Sequence, residues 1–469
     1  MSLIDKSSTM VSSKNLFTKE NNSKLLLLGF AVWIHAASSL LAATTLPSAV
    51  REFGGGDLIG WAFTLYLLGS ILAGSSSALL LNFSGIRLAL SIGAAIYLLG
   101  CLICSASPNI YVILIGRLTQ GFGGGFLVAL AFIAIRYWFD PNLMPKVMAL
   151  ISVIWSMSAF AGPLVGGTFA TFGDWRLAFL FVGIQAFIFI LLVKLITPDA
   201  KIINRSGNKE IPLVRLTLIF CSVLLIAFAG INVNRLVSPL LCILSIILFL
   251  IALALDNMDG DSKKARLFPS KPFDISKRKG AGLILILFAS ISSQSYMVYG
   301  PILLETIHFI TPLTAGYMIA FEAVCWGLAA LAITWIKEPN ESLHIRIGVF
   351  TLLLSLIGLA FSINNGPIWL ILIFGGMQGA SFGVMWAFIV KRVNESSLED
   401  EQNITASAIP TVQQVGFAFG AAFTGLIANY FGLGNDLSVV IAESTAPWMF
   451  LCFIPLTFFV IIAGMRLSR

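Results

Sequence analysis

Charge is scarce in this chain. Asp, Glu, Lys and Arg together make up only 11% of the 469 residues, and only three residues are histidine. A water-soluble protein usually carries about 25% charged residues, so a folded chain of this length with so few could not keep itself in water. The counterpart is a 58% share of hydrophobic residues and a mean hydropathy of +0.94. The bilayer is the solvent this composition fits.

Other things are missing as well. The six cysteines, Cys101, Cys104, Cys221, Cys242, Cys325 and Cys452, all fall in apolar stretches and offer no disulfide framework. Cys101 and Cys104 form a Cys-x-x-Cys without His or carboxylate partners, which reads as small packing residues rather than a redox or metal site. Residues 1–24 carry Lys6, Lys14, Lys19 and Lys24 but no apolar core, so they read as a polar arm and not as a cleaved signal. There is no His-Glu-x-x-His, no phosphate-binding Gly-x-x-x-x-Gly-Lys-Ser/Thr and no Gly-x-Ser-x-Gly. No catalytic residue, metal or cofactor is therefore expected, and the chain is not expected to be an enzyme. Without a nucleotide site, the energy at hand is an ion gradient, worth about 2.3 kcal/mol per charge per 100 mV.

What is abundant is apolar sequence in helix-length runs, each near the roughly 20 residues a bilayer demands. They fall at about 25–49, 58–82, 88–107, 109–135, 147–171, 176–198, 211–231, 236–255, 280–304, 311–335, 345–363, 367–390, 405–431 and 446–465. The closely spaced pair at 211–255 could also be a single re-entrant feature. An even number of spans puts both termini on one side, and the basic residues test this. Of the 29 Lys and Arg, Arg51, Arg176 and Arg235 fall on the far side, Arg117 lies within a span, and all others stand on the side of the termini. Positive charge collects on the cytoplasmic side, so both termini are expected there. The same bias accounts for the net charge of +7 without nucleic acid as a partner.

The longer polar connections, 199–210 and 256–279, divide the chain. An all-α membrane protein is expected, with a polar arm at 1–24, a six-helix bundle at 25–198, a linker at 199–279 holding two extra helices, and a second six-helix bundle at 280–469. The stretch around Asp256, Asp259, Asp261, Lys263, Lys264 and Arg266 reads as a solvated linker. The two bundles repeat one another. Gln120-Gly121-x-x-x-Gly125 returns as Gln378-Gly379-x-x-x-Gly383, an offset of 258 residues, and Ala159-Phe160, Gly166 and Phe172-Gly173 return as Ala418-Phe419, Gly425 and Phe431-Gly432, an offset of 259. Agreement in order and offset points to two parallel halves.

Polar residues inside the spans are few, which makes each informative. Arg117 lies some eight residues into the fourth span, where insertion costs roughly 2.5–3.5 kcal/mol, so it must face a cavity or a partner. Gln120 and Gly121 share its helix face. A purely structural arginine, bonded to carbonyls of neighbouring helices, is the alternative. Glu322 is the one carboxylate near the middle of a span, able to take up and release a proton; the alternatives are a structural ion pair, a protonated packing residue, or recognition of a cationic substrate. Glu305, near the outer end of its span, reads as solvated. His35 reads as a satisfied interior histidine or a titrating one.

Arg117-Leu118-Thr119-Gln120-Gly121 resembles the fourth-helix motif of the major facilitator superfamily. Gly162-Pro163-Leu164-Val165-Gly166-Gly167 in the fifth span is similar to the antiporter motif of that superfamily's drug:proton exporters, and with Leu46-Pro47 and Trp175-Arg176 the pattern resembles its fourteen-span branch. Two departures stand out. The loop that in the family reads Gly-x-x-x-Asp-Arg-x-Gly-Arg-Arg is here Ala78-x-x-x-Asn82-Phe83-Ser84-Gly85-Ile86-Arg87, and the first span has Ala42-Ala43-Thr44-Thr45 where that branch often has an aspartate.

The resemblance implies a secondary transporter in a bacterial inner (plasma) membrane, acting as a monomer. It would export a small amphipathic organic solute in exchange for protons by alternating access. Glu322 and Arg117 would couple protons, and a central cavity would be lined by His35, Ser38, Gln120, Gln294, Tyr296, Gln378 and Trp386. Gly162, Pro163, Gly166 and Gly167 would shape helix packing. The competing expectations are solute or siderophore uptake, facilitated diffusion, and a receptor on a transporter scaffold.

Overall fold

A computed structural model describes residues 17–140, 143–197, 212–231, 233–234, 236–258, 266–336, 340–398 and 401–469. Its regular elements are helices: α1 (Lys19–Phe53), α2 (Ile59–Ser105), α3 (Ile110–Trp138), α4 (Met144–Phe172), α5 (Trp175–Ile196), α6 (Leu213–Ile231), α7 (Val237–Met258), α8 (Arg278–Ser292), α9 (Gln294–Ile307), α10 (Pro312–Thr334), α11 (Glu341–Ser362), α12 (Ile368–Glu395), α13 (Gln402–Tyr430), α14 (Val439–Leu451) and α15 (Ile454–Leu467), with a short 3-10 turn at Gly56–Leu58 before α2. Side-chain caps open several of them. Thr18, Asn109, Asp174, Thr311 and Asn340 each accept a backbone N–H of the first turn, satisfying donors that have no partner inside the helix.

Among the described residues, thirteen helical stretches are long and apolar enough to cross a membrane; α8 with α9 forms one, and α14 with α15 another. One stretch, Gly56–Ser105, is 50 residues long, about twice what a bilayer accommodates. It breaks at Gly85, whose φ of 73° is open to glycine at little cost. The second and third spans are thus the two arms of α2, and fourteen crossings result. The loop expected between the second and third spans is instead helix up to this single break, with Ser84 Oγ donating to Leu80 O at 2.6 Å and Arg87 donating to Lys194 O at 2.6 Å.

Two six-helix bundles and an extra pair make up the fold. In the first, α2, α3, α4 and α5 pack around α1; in the second, α12 packs on α10 and α11, and α8 on α13 and α15. The pair at 211–255 is two helices, not a re-entrant loop. α6 and α7 pack on each other, with Ser222 Oγ donating to Ser245 O at 2.9 Å and Ser238 Oγ to Ala229 O at 2.8 Å. α6 lies against both bundles, through Trp61 Nε1 donating to Ala227 O at 3.2 Å and through Gly230, where an added methyl would lie 2.9 Å from Leu426 Cα.

The bundles meet in two related places. A methyl on Gly60 of α2 would lie 3.0 Å from Gly425 Cα of α13, and a methyl on Gly316 of α10 would lie 2.9 Å from Pro163 O of α4. Both glycines open the first turn or two of a helix at the face opposite the termini, and both contacts match the repeat seen in the sequence. The linker departs from expectation. Residues 259–265 lie outside the described residues, but Arg266 lies 3.5 Å from Glu401 and Phe268 is buried, so this end of the segment is packed rather than solvated.

Candidate functional site

The repeat places Gln120 on α3 and Gln378 on α12, and in each case the next residue explains how the helix reaches its neighbour. The missing side chain of Gly121 lets α3 rest on the carbonyl of Tyr66 on α2, and Gly125 does the same at Ser70. On α12, Gly379 rests on the carbonyl of Glu322 and Gly383 on that of Trp326, both on α10. Such small-residue rows let backbones approach closely enough for dispersion to hold helices together in lipid. Each glutamine is thereby fixed beside a helix seam.

The two seams are furnished differently. In the first bundle Arg117 is fully buried, 0% exposed. Its Nη1 donates to Gln120 Oε1 at 3.0 Å and Ser38 O at 3.4 Å, its Nε donates to Ala62 O at 3.4 Å, and its guanidinium carbon sits 4.1 Å above the Tyr66 ring. Cation–π contact and carbonyl dipoles replace the counter-ion; among the described residues no carboxylate lies within ion-pairing distance, and Arg117 Nη2 and Ser38 Oγ have no hydrogen-bond partner. Gln120 turns its amide to Cys101, Nε2 to Sγ at 3.2 Å. The Tyr66 hydroxyl donates to His35 O at 2.9 Å and lies 3.0 Å from His35 Nδ1.

In the second bundle the titratable group is a carboxyl. Gln378 Nε2 donates to Glu322 Oε1 at 3.0 Å and to Ser293 O at 2.8 Å, and among the described residues no cation pairs with Glu322. The position that repeats Arg117 is Gly375, and the ring of Tyr296 fills the space there: a methyl on Gly375 would lie 2.7 Å from it. One turn further along α10 and α12, Trp326 stacks on Phe382 at 4.9 Å and lies 6.2 Å from Trp386.

The structure therefore brings His35, Ser38, Arg117 and Gln120 into one cluster, Glu322, Gln378 and Tyr296 into a second, and Trp386 into an aromatic group beside the second. Arg117 and Glu322 stand in opposite bundles, not as an ion pair. Gln294 packs its stem near Gly420 of α13. Gly162 and Gly166 of α4 face α1 at Ala37 and Thr44, Gly167 faces Leu313 of α10, and the carbonyl of Pro163 meets Gly316. Sequence reasoning missed Tyr66, Cys101, Trp326 and Phe382. On α2 and α10 alike, the two residues whose carbonyls meet these glycines stand one helix turn apart, Tyr66 and Ser70 in one bundle and Glu322 and Trp326 in the other. The expectation for Glu305 is corrected: its side chain is 1% exposed and paired with Arg51 at 2.6 Å, because α1 of the first bundle covers the end of α9. No group of three or more His, Cys, Asp or Glu among the described residues could hold a metal.

The chain matches the sequence model of the Major Facilitator Superfamily over residues 28–362. It is 26% identical over 432 residues to a probable multidrug-efflux transporter of Mycobacterium tuberculosis, covering 89% of each chain, and 27% identical over 422 residues to the multidrug efflux pump SdrM of Staphylococcus aureus, covering 87% of this chain and 91% of the other. Its fold is that of the solved nucleoside transporter NupG, in a mutant form, with a TM-score of 0.67 at 11% identity over 95% of this chain and 100% of the other. A D-xylose-proton symporter follows the same fold, TM-score 0.61 at 15% identity over 94% and 97%. Family match, fourteen crossings and the duplicated bundles agree: this multi-pass membrane protein belongs to the major facilitator superfamily of transporters.

Proposed function

We propose that the protein is a proton-coupled exporter of small amphipathic organic molecules, in which residues 25–198 and 280–469 rock about a central site while residues 199–279 ride beside them. The observation that carries this reading is Glu322: a carboxylate within a span, held by Gln378, with no cation paired to it among the described residues, next to Trp326, Phe382 and Trp386. A carboxylate so placed can hold a proton or a cationic solute, and exchanging one for the other is antiport. The names of the Mycobacterium and Staphylococcus relatives support multidrug efflux, and their bacterial origin supports a bacterial plasma membrane. The basic residues on the side of the termini support a cytoplasmic location for both ends. Arg117 would tie the first bundle's packing to the charge state of the site, and the single chain is taken as the transport unit.

Proteoliposomes carrying a pH-sensitive dye test this. On addition of an amphipathic fluorescent dye to a preset pH gradient, the parent protein should move protons with the solute, and Glu322→Gln should abolish proton movement. Solute flux without protons in both proteins would leave a facilitator, the reading favoured by Thr44 and Thr45, whose hydroxyls bond Leu41 O at 3.1 Å where the antiporter branch often has an aspartate. Absence of any flux would leave a receptor.

A further inference from the structure

The face opposite the termini is held shut by polar contacts that join the two bundles. Asn429 Nδ2 of α13 donates to Asp57 O at 2.8 Å, and Leu313 N of α10 donates to Thr171 Oγ1 of α4 at 3.2 Å. These are neutral. The third contact is an ion pair between bundles: Arg51 Nη1 at the end of α1 donates to Glu305 Oε2 near the end of α9 at 2.6 Å. Its two ends are unequal. The Arg51 side chain is 45% exposed and the Glu305 side chain 1%, and Glu305 Oε1 has no hydrogen-bond partner among the described residues. Among the described residues, the ionic partner of this buried carboxylate belongs to the other bundle, across a seam that must open.

We propose that Glu305 and Arg51 form a proton-operated latch on the face opposite the termini, distinct from the site at Glu322. With Glu305 ionised, the pair holds α1 against α9 and that face stays closed. When Glu305 takes a proton from that side, the carboxylate becomes a carboxylic acid and the ionic attraction is lost. Arg51 keeps its charge and turns to the water it already touches, and the bundles part. Loss of the proton, with return of Arg51, closes the face again. The proposal rests on the alternating-access reading but not on the role of Glu322.

The other ionisable groups on the elements around α9 leave this assignment to Arg51. Glu52 of α1 is held by Arg176 at 2.6 Å. Asp57 before α2 offers its backbone carbonyl to Asn429. Among the described residues, Tyr317 and Glu322 on α10, Tyr430 on α13 and Glu443 on α14 make no ion pair or side-chain hydrogen bond with it, and on α9 itself Tyr296 and Tyr299 have hydroxyls without partners while His308 Nε2 lies 2.7 Å from Ile363 O. α8 carries its charges, Arg278 and Lys279, at the opposite face.

Spin labels on Phe172→Cys and Tyr430→Cys read the opening. Both positions are exposed, 78% and 62%, at the latched face and in opposite bundles; Cys221, Cys242, Cys325 and Cys452 are replaced by serine in this background. In lipid nanodiscs, double electron–electron resonance should show the long-distance population rising on the order of tenfold from about pH 8 to about pH 5, the size of a typical linkage between sites. Glu305→Gln should show the long distance at every pH, and Glu322→Gln should keep the pH response. If Glu305→Gln is not recovered as folded protein, Arg51→Gln carries the test with the same expectation. Identical distances and an unchanged pH response in the Glu305 or Arg51 variant would overturn the latch. Proton flux measured on the same variants reconstituted in proteoliposomes separates the two ideas: a working latch without proton flux would remove the antiport reading alone.

Discussion

The two bundles share a backbone device and differ in what it carries. On α3 and on α12 a glutamine is followed by glycines that rest on carbonyls of the neighbouring helix, Tyr66 and Ser70 in one bundle and Glu322 and Trp326 in the other. In the first bundle the glutamine accepts from a buried arginine stacked on Tyr66; in the second it donates to a carboxylate. The helix that supplies a tyrosine in one half supplies a glutamate in the other, and the arginine's place is taken by Gly375 and the ring of Tyr296. Duplication preserved the seam, where backbone approach leaves no room for side chains, and let the groups beside the seam differ, a guanidinium in one half and a carboxyl in the other.

The largest effect is expected where the bundles are alike. Gly121→Val and Gly379→Val each push a branched side chain into a facing carbonyl, and overpacking of this kind costs about 1–3 kcal/mol. Both should lose most of their monodisperse protein in size-exclusion chromatography. Survival of one but not the other would show that only one seam is tightly closed.

A smaller effect should separate them. Gln120→Leu removes the acceptor nearest to a buried cation, a hydrogen bond of the kind worth roughly 1.5–3 kcal/mol, so thermal stability in detergent should fall clearly. Gln378→Leu removes a donor from Glu322 and should change the pH dependence of transport more than stability. Equal losses of stability would mean that the two glutamines do the same structural work. Tyr66→Phe comes next: it deletes the hydroxyl that bonds His35 O and should cost about 1 kcal/mol, with the ring stack on Arg117 retained. A melting temperature as low as that of Gln120→Leu would mean that the hydroxyl, not the ring, holds the cluster.

The smallest and most local effect concerns Glu401, just before α13. Burial pushes its carboxyl up, but the Lys279 ammonium at 2.7 Å and the backbone and hydroxyl donors of Ser270 outweigh this and hold it below the usual carboxylate range. Its folded form therefore gives up its proton more readily than the unfolded chain does. The stability this contributes is present above the ordinary carboxylate range and is lost as pH falls through the lowered value. Melting curves recorded from neutral to acid pH should show a loss that Glu401→Gln reduces; an unchanged acid slope would mean that this anchor between linker and second bundle is not formed.

Much of the fold was legible in the sequence because a bilayer imposes a length on every apolar run and a side on every basic residue. Fourteen runs, the extra pair and the halves could be found that way. The break at Gly85 could be placed only between its flanking spans, since a helix can run on into water where no residue forbids it. The site was legible in part. Arg117, Gln120, Glu322 and Gln378 stand out because polar atoms in lipid are costly, whereas Tyr66, Trp326 and Phe382 look like any other apolar or aromatic residue of a span.

By itself, then, the sequence determined that the chain lies in a membrane, how often it crosses, and that it is built from two related halves, because those properties follow from local composition and from repetition along the chain. Which polar groups meet was decided only by the tertiary structure. Glu305 reads as a solvated outer carboxylate until α1 is packed over it, and Arg117 reads as facing a cavity or a partner until the Tyr66 ring, Gln120 and two backbone carbonyls are found around it. A charge inside a membrane protein is defined by what surrounds it in space, and helices far apart in sequence supply those surroundings.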